Sequence, residues 1–358
     1  MEERKRVLLL GGTGTIGEAL APALKQRGFD VFITSRSAHA SNDRHIIYIK
    51  GNAKDGAFLD ELLEERFDAI VDFMIYSTAE FSARCDKLLS HTSHYIFLSS
   101  YRVYGNDCPI TEQSPRLLDS VDDPDYLKTD EYGLTKARQE DILRAANQPQ
   151  FTIIRPAITY GGDRFQLGTM EANEFLNRAL AKKPIIFPQE MTEKQATMTW
   201  AGDVGRMLAQ LVLNEAAFGE TYTAATAEHH TWGEILAYYR SILNMRVTLV
   251  PLAAYQSAIG RRWQIRYDRM FDRVVDNTKI LNATGMKQSD LMPLYDGLRI
   301  ELGKFMRDPH FKPADDALQK RIDAAAGAQK PASGLKKRLW RIKPLRKAVH
   351  ALKRLLKK

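Results

Sequence analysis

The stretch Arg6-Val7-Leu8-Leu9-Leu10-Gly11-Gly12-Thr13-Gly14-Thr15-Ile16-Gly17 decides how the rest of the chain is read. Arg6 to Leu10 has the length and apolar character of a buried strand, it runs straight into a glycine turn, and the pattern from Glu18 to Arg27 is helical. Glycines at 11, 14 and 17 have a physical purpose here. With no Cβ atoms in the way, the turn lets backbone close on a pyrophosphate, whose charge then sits at the positive end of the following helix. Thr13, Thr15 and Ile16 belong to the same cradle. A glycine pattern alone is weak. The strand before it, the helix after it and a second strand at Asp30 to Thr34 make it a dinucleotide-binding unit.

The end of the second strand bears on which dinucleotide is bound. An acidic residue there would accept from the adenosine ribose hydroxyls, but this chain has Ser35-Arg36. A hydroxyl followed by a guanidinium suits a 2′-phosphate, so NADP is expected, with NAD as the alternative. Further strands are predicted at Ala69 to Phe73, Tyr95 to Leu98 and Phe151 to Arg155, separated by helices near Phe58 to Glu65, Phe81 to Ser90 and Gly133 to Ala146. That alternation specifies an α/β fold, a Rossmann-type doubly wound parallel sheet, with ligands beyond the carboxyl ends of its strands.

The fourth predicted strand ends in Ser99-Ser100-Tyr101-Arg102-Val103-Tyr104-Gly105, and Tyr132-Gly133-Leu134-Thr135-Lys136 opens a helix 32 residues after Ser100. Four residues make about one helical turn, so Tyr132 and Lys136 share a face. An ammonium near a phenol favours the phenolate and lowers its pKa from about 10 towards a working range. Arg155-Pro156 and Tyr160-Gly161-Gly162 complete the set.

With these motifs in place the chain, over roughly residues 5 to 310, resembles the extended short-chain dehydrogenase/reductase family, the NAD(P)-dependent epimerases, dehydratases and ketoreductases that modify nucleotide sugars. The resemblance implies Tyr132 as general acid/base, Lys136 as its partner and a ribose ligand, Ser100 as the group that holds the reacting hydroxyl or carbonyl, and Pro156 near the nicotinamide. It also places Ser99 among the cofactor-binding residues. Departures matter as much. The acid pair that sugar dehydratases carry after the strand-end residue is Tyr101-Arg102 here, and the asparagine that contacts a nucleotide sugar is Ile158. The small Ala-Ala pair is Met74-Ile75, and the adenine-side acid is Asn52, whose carbonyl can still accept from the adenine amino group. The function implied is a nucleotide-sugar epimerase or 4-ketoreductase that transfers hydride at a sugar carbon. The alternative is an RNA-binding protein on the same fold, and a homodimeric assembly is left open.

Domain organisation follows from the breaks in pattern. Residues 1–162 with about 199–225 form the dinucleotide-binding domain, and about 163–198 with 226–312 form a smaller interleaved substrate lobe. In that lobe Asp203, Trp232, Trp263, Arg266 and Arg269 are the polar and aromatic candidates, while Tyr267 to Asn277 reads equally as a solvated ion-pair face. Residues 313–334 read as a linker with a helical portion. The final segment, 335–358, holds eleven Lys and Arg and no acid; removing them from the net charge of +8 leaves about −3 for the rest of the chain. Leu345, Ala348, Val349, Leu352, Leu355 and Leu356 form an apolar stripe, so the tail is a basic amphipathic helix suited to an anionic membrane surface. Nucleic acid is the second partner that such a basic run admits. No signal-peptide layout and no apolar stretch of membrane-spanning length occur, so a cytoplasmic enzyme held at the inner membrane face is expected. Cys85 and Cys108 suit neither a disulfide framework nor a metal site, and no metal is expected.

Overall fold

The strand β1 (Arg6–Leu10) is fully buried after Arg6, as an apolar run must be when both faces of its sheet are covered. In the computed structural model, which describes residues 4–313 and 315–328, β1 pairs in parallel with β2 (Asp30–Ser35) on one side and β4 (Phe67–Asp72) on the other. β3 (Ile46–Lys50), β5 (Thr92–Leu98), β6 (Phe151–Ile154) and β7 (Thr221–Tyr222) extend the sheet to seven strands in the order β7-β6-β5-β4-β1-β2-β3, all parallel. Strand order reverses between β1 and β4. A crevice opens there at the carboxyl ends, the usual ligand site of such folds.

One face of the sheet is covered by helices Thr15–Gln26 and Ala201–Leu211, whose Leu20, Leu24, Val204 and Leu208 pack against Val7, Leu9, Val31 and Val71. The other is covered by Gly56–Glu64, Cys85–Ser90 and Tyr132–Ala145 through Leu59, Leu62, Leu88 and Leu143. The first face is therefore completed by chain from far downstream. The expected helix at Phe81 to Ser90 is instead two, Thr78–Ser82 and Cys85–Ser90, the first closed by a capping box between Ser77 and Glu80.

The rest of the chain builds a lobe with its own core around Phe175, Phe187, Trp232 and Leu298. It is less helical than its pattern suggests: Ile185–Pro188 pairs in parallel with Val247–Val250, and Gln166–Leu167 turns back on Met170–Glu171. Residues 313–334, expected as a linker with a helical portion, contain the helix Asp316–Gly327. Its Leu318 and Ile322 are buried in the lobe core, and Arg178 holds it by ion-pairing with Asp323 and donating to the Gln319 side-chain carbonyl at 2.7 Å. The basic segment 335–358 lies outside the described residues.

Candidate active site

The crevice contains a cradle and a cleft. At the cradle, Thr34 at the end of β2 accepts from the Gly11 amide at 2.8 Å and fixes the start of the turn, where Gly11 has a φ of +67°. A Cβ at Gly17 would lie 2.1 Å from the Gly12 carbonyl oxygen, so only glycine closes this turn on its helix. Gly14 is the N-cap of the 12-residue helix Thr15–Gln26, no side chain caps that end, and nothing lies within 4 Å of where a Gly14 Cβ would be. Free helix N–H groups over open space fit a pyrophosphate. Where nicotinamide dinucleotide binds, Gly11, Thr13, Gly14, Thr15, Ile16 and Gly17 would hold its pyrophosphate.

At the far end of the cradle Ser35 closes β2, its hydroxyl 3.0 Å from His39 Nε2, and His39 stacks on Tyr48 with ring centroids 5.0 Å apart. Arg36 follows, exposed and without an ion pair among the described residues. His39 was not singled out from sequence, where nothing ties it to Ser35. Asn52 is exposed beyond β3, and its side-chain carbonyl accepts from the Lys54 amide at 3.2 Å.

The cleft, of about 310 Å³, lies between the sheet and the lobe. Ile16, Ser99, Ser100, Tyr132, Lys136, Pro156 and Ile158 all line it, so the strand-end serines, the Tyr-Lys turn and the Arg-Pro turn come together in space. Gly133 makes the approach possible: a Cβ there would sit 2.6 Å from the Arg102 carbonyl oxygen, so the helix Tyr132–Ala145 can start directly against the turn Tyr101–Val103. Glu131 caps that helix, accepting from the Gly133 amide at 2.8 Å, and is ion-paired with Arg102. The Arg102 guanidinium in turn lies over the Tyr132 ring, 5.4 Å from its centroid.

Electrostatics distinguish the members. Burial raises the Tyr132 phenol above its ordinary range, and the opposing influences are the charges of Arg164 and Arg102 and the nearby Ser100 hydroxyl. Lys136 is 2% exposed with its ammonium 4.5 Å from the Phe97 ring centroid, and burial pulls its pKa down to about 8 against the counter-charges of Asp72 and Glu140. Asp72, also buried, accepts from the Tyr95 hydroxyl at 2.7 Å and the Met74 amide at 2.8 Å. Ser99 borders the cleft, but its hydroxyl donates to Glu140 at 2.6 Å, and Arg155 grips the same carboxylate at 2.9 and 2.6 Å. That buried trio ties β5, β6 and the Tyr132 helix together directly behind the reactive groups.

The substrate-lobe candidates separate. Only Arg269 lines the cleft. Trp232 is core, Trp263 stacks among Tyr126 and Tyr267, Arg266 pairs at the surface with Asp123, and Asp203 is buried on Arg206 and the Met292 amide. The stretch Tyr267 to Asn277 is not a solvated face. Asp268, Arg269 and Arg273 are each about 2% exposed or less, with Arg273 Nε 3.1 Å from Asp268 and Arg102 Nε 3.4 Å from it. A π-helical turn at Ile265–Arg269, closed by the Met270 amide on the Ile265 carbonyl at 2.9 Å, turns these residues inward. Arg164, Gln166, Glu171 and Gln264 also line the cleft; no sequence motif marks them, because they arrive from a loop, a two-stranded turn and the edge of the π-turn.

Among the described residues no cluster of three His, Cys, Asp or Glu is placed to hold a metal. None of the helices described is long and apolar enough to cross a membrane.

A sheet that reverses at an uncapped glycine turn, with a serine, a tyrosine and a lysine gathered beside that turn, defines a dinucleotide-dependent α/β enzyme. Residues 7–225 match the model of the NAD dependent epimerase/dehydratase family, and the chain belongs to that family. A 2′-dehydrokanamycin reductase of Streptomyces kanamyceticus is 24% identical over 245 residues, a match that covers 65% of each chain. Among solved structures, an epimerase of Methanothermobacter thermautotrophicus superposes with a TM-score of 0.68 at 18% identity, over 89% of this chain and 95% of that one. The Bordetella bronchiseptica enzyme WbmG, solved with NAD and UDP, superposes with a TM-score of 0.63 at 16% identity, over 85% of this chain and 96% of that one. These structural likenesses establish the fold.

Proposed function

We propose that the protein is an epimerase or 4-ketoreductase acting on a nucleotide-activated sugar, with Tyr132 as the acid/base. The observation that carries this reading is the meeting of Ser100, Tyr132 and Lys136 in one cleft beside the glycine cradle. Bound nicotinamide cofactor accepts or donates a hydride. Tyr132 takes or returns the hydroxyl proton on the same side of the reacting carbon, which requires both groups to be held in register. Ser100, on the same cleft as the phenol, orients the substrate oxygen. Lys136 would hold the cofactor ribose and keep a positive charge at the site, and Pro156 would lie near the nicotinamide, both residues lining the cleft. Ser35, Arg36 and His39 suit a 2′-phosphate, which favours NADP over NAD. Asn52 lies outside the cleft, and its carbonyl is engaged on the Lys54 amide, so its role towards adenine is the weakest of the set.

The tail, residues 335–358, is proposed to dock on anionic lipid through its basic face and apolar stripe. Native mass spectrometry of purified protein tests the main reading, with a retained dinucleotide and a co-purifying sugar nucleotide as the expected masses. A retained nucleotide of another class, with no dinucleotide binding on addition, overturns it.

A further inference from the structure

Each of three cations bordering the cleft has its own carboxylate. Arg102 sits on Glu131 and Asp268, Arg269 on Asp268, and Lys136 in the field of Asp72. Arg164, an exposed residue, has none within ion-pair distance among the described residues, although it lines the same cleft and its charge favours the Tyr132 phenolate. Arg164 is the third guanidinium on the cleft and an exposed one, so its charge is held by solvent and is free to pair with an anion that enters. Beside it, Gln264 also borders the cleft, its side-chain amide free of hydrogen bonds among the described residues. Gln264 and Arg269 are five residues apart; in an α-helix they would point about 140° away from each other at 3.6 residues per turn. The π-turn at Ile265–Arg269 brings both to the same cavity. The one carboxylate lining the cleft, Glu171, is held by the Gln166 amide at 2.5 Å.

We propose that Arg164 and Gln264 form a receptor for an anionic substituent of the substrate close to the carbon that reacts, so that the substrate is an acid, such as a hexuronate, and not a neutral sugar. This rests on the assignment of the cleft as the substrate site of a nucleotide-sugar enzyme. A guanidinium–carboxylate pair with two parallel hydrogen bonds favours the acid by about tenfold over its neutral counterpart.

The test is calorimetric binding to the full chain saturated with NADP, and separately with NAD, using UDP-glucuronate, UDP-glucose, free glucuronate and methyl glucoside as probes. Each glucuronate form is expected to bind about tenfold more tightly than its neutral partner. Arg164→Gln should erase the difference while leaving UDP-glucose affinity and the melting temperature unchanged, and Arg164→Lys should restore part of it. Equal binding of acid and neutral probes, or no binding of either acid, overturns the proposal. So does an Arg164→Gln variant that weakens the dinucleotide itself, since the anion would then be the cofactor pyrophosphate. If only the free glucuronate shows the preference and neither UDP-sugar binds, the acid receptor stands and the nucleotide-sugar reading falls.

Discussion

Tyr132 occupies the first position of its helix, beside the Ser100 hydroxyl and beneath the Arg102 guanidinium, and burial holds its proton on. Replacing it with phenylalanine keeps the ring and the packing but removes the only transferable proton. Turnover of Tyr132→Phe should drop by roughly 10²-fold or more with dinucleotide affinity intact, and near-normal turnover in a stopped assay would remove Tyr132 from the chemistry. Arg36 acts at the other end of the cradle. Arg36→Ala is expected to weaken NADPH far more than NADH in fluorescence titrations, because only the former carries a 2′-phosphate; equal weakening would argue for NAD. Lys136 supplies a pH signature. Its pKa of about 8 means the ammonium is present below that pH and lost above it. Dinucleotide affinity should therefore decline as pH rises through 8, and the Lys136→Met variant should show a flat profile across the same window. The same burial disfavours the charged form in the folded state, so that variant should also melt higher at neutral pH.

At the scale of elements, one buried histidine couples the sheet to the helix that covers it. His94 in β5 hydrogen-bonds Thr152 in β6 at 2.9 Å, and its Nδ1 accepts from the Leu213 amide at 3.0 Å, just past the end of helix Ala201–Leu211. Burial pushes its pKa down to about 4, below the unfolded value near 6.5. Between those values the unfolded chain binds the extra proton. The stability His94 supports is complete above about 6.5 and drains as pH falls towards 4, by roughly 3 kcal/mol in all. His94→Gln should flatten the acid limb of the denaturation curve in that window, and an unchanged limb would show that other groups drive acid unfolding. The elements legible in the sequence were those with a strong local signature: the glycine turn, the long apolar strands and the Tyr-Lys helix. β3 was missed although Ile46-Ile47-Tyr48-Ile49 is a run of β-branched and aromatic residues; what the sequence does not show is that this short run lies at the sheet edge and stays half-exposed. The two- and four-residue strands of the lobe are too short for any period to show. The Asp268 cluster looked like a solvated charge run because alternating Arg and Asp carry no mark of burial; the π-turn that buries them is a tertiary outcome. Arg164 and Gln264 come from separate segments, and only the folded chain brings them to one cavity.

For the molecule as a whole, charge is distributed in two parts: residues 335–358 carry eleven cations and no acid, and the remainder about −3. A segment built only to pack on its own enzyme has little to gain from excluding every acid. Full-length protein should float with anionic but not neutral liposomes, less so at high salt because exposed charges are screened. A truncation after Gly334 keeps the helix Asp316–Gly327 and should stay at the bottom of the gradient with its catalysis unchanged. If both forms stay down while the full-length protein shifts RNA, nucleic acid is the partner of the tail.

The interleaving of helix Ala201–Leu211 and β7 with the first half of the sheet has a consequence for biosynthesis. The glycine turn leaves the ribosome early, yet the wall over Leu20 and Leu24 and the last strand beside β6 are supplied only once Tyr222 has emerged. At about 5–20 residues per second, translation from Gly17 to Tyr222 takes roughly 10 to 40 s. Throughout that interval a nascent chain leaves uncovered the part of this face that helix Ala201–Leu211 later fills, an apolar surface open to chaperones. A ribosome stalled near residue 162 would release a fragment that carries the complete dinucleotide signature but lacks the wall of Val204, Met207 and Leu208 behind its cradle.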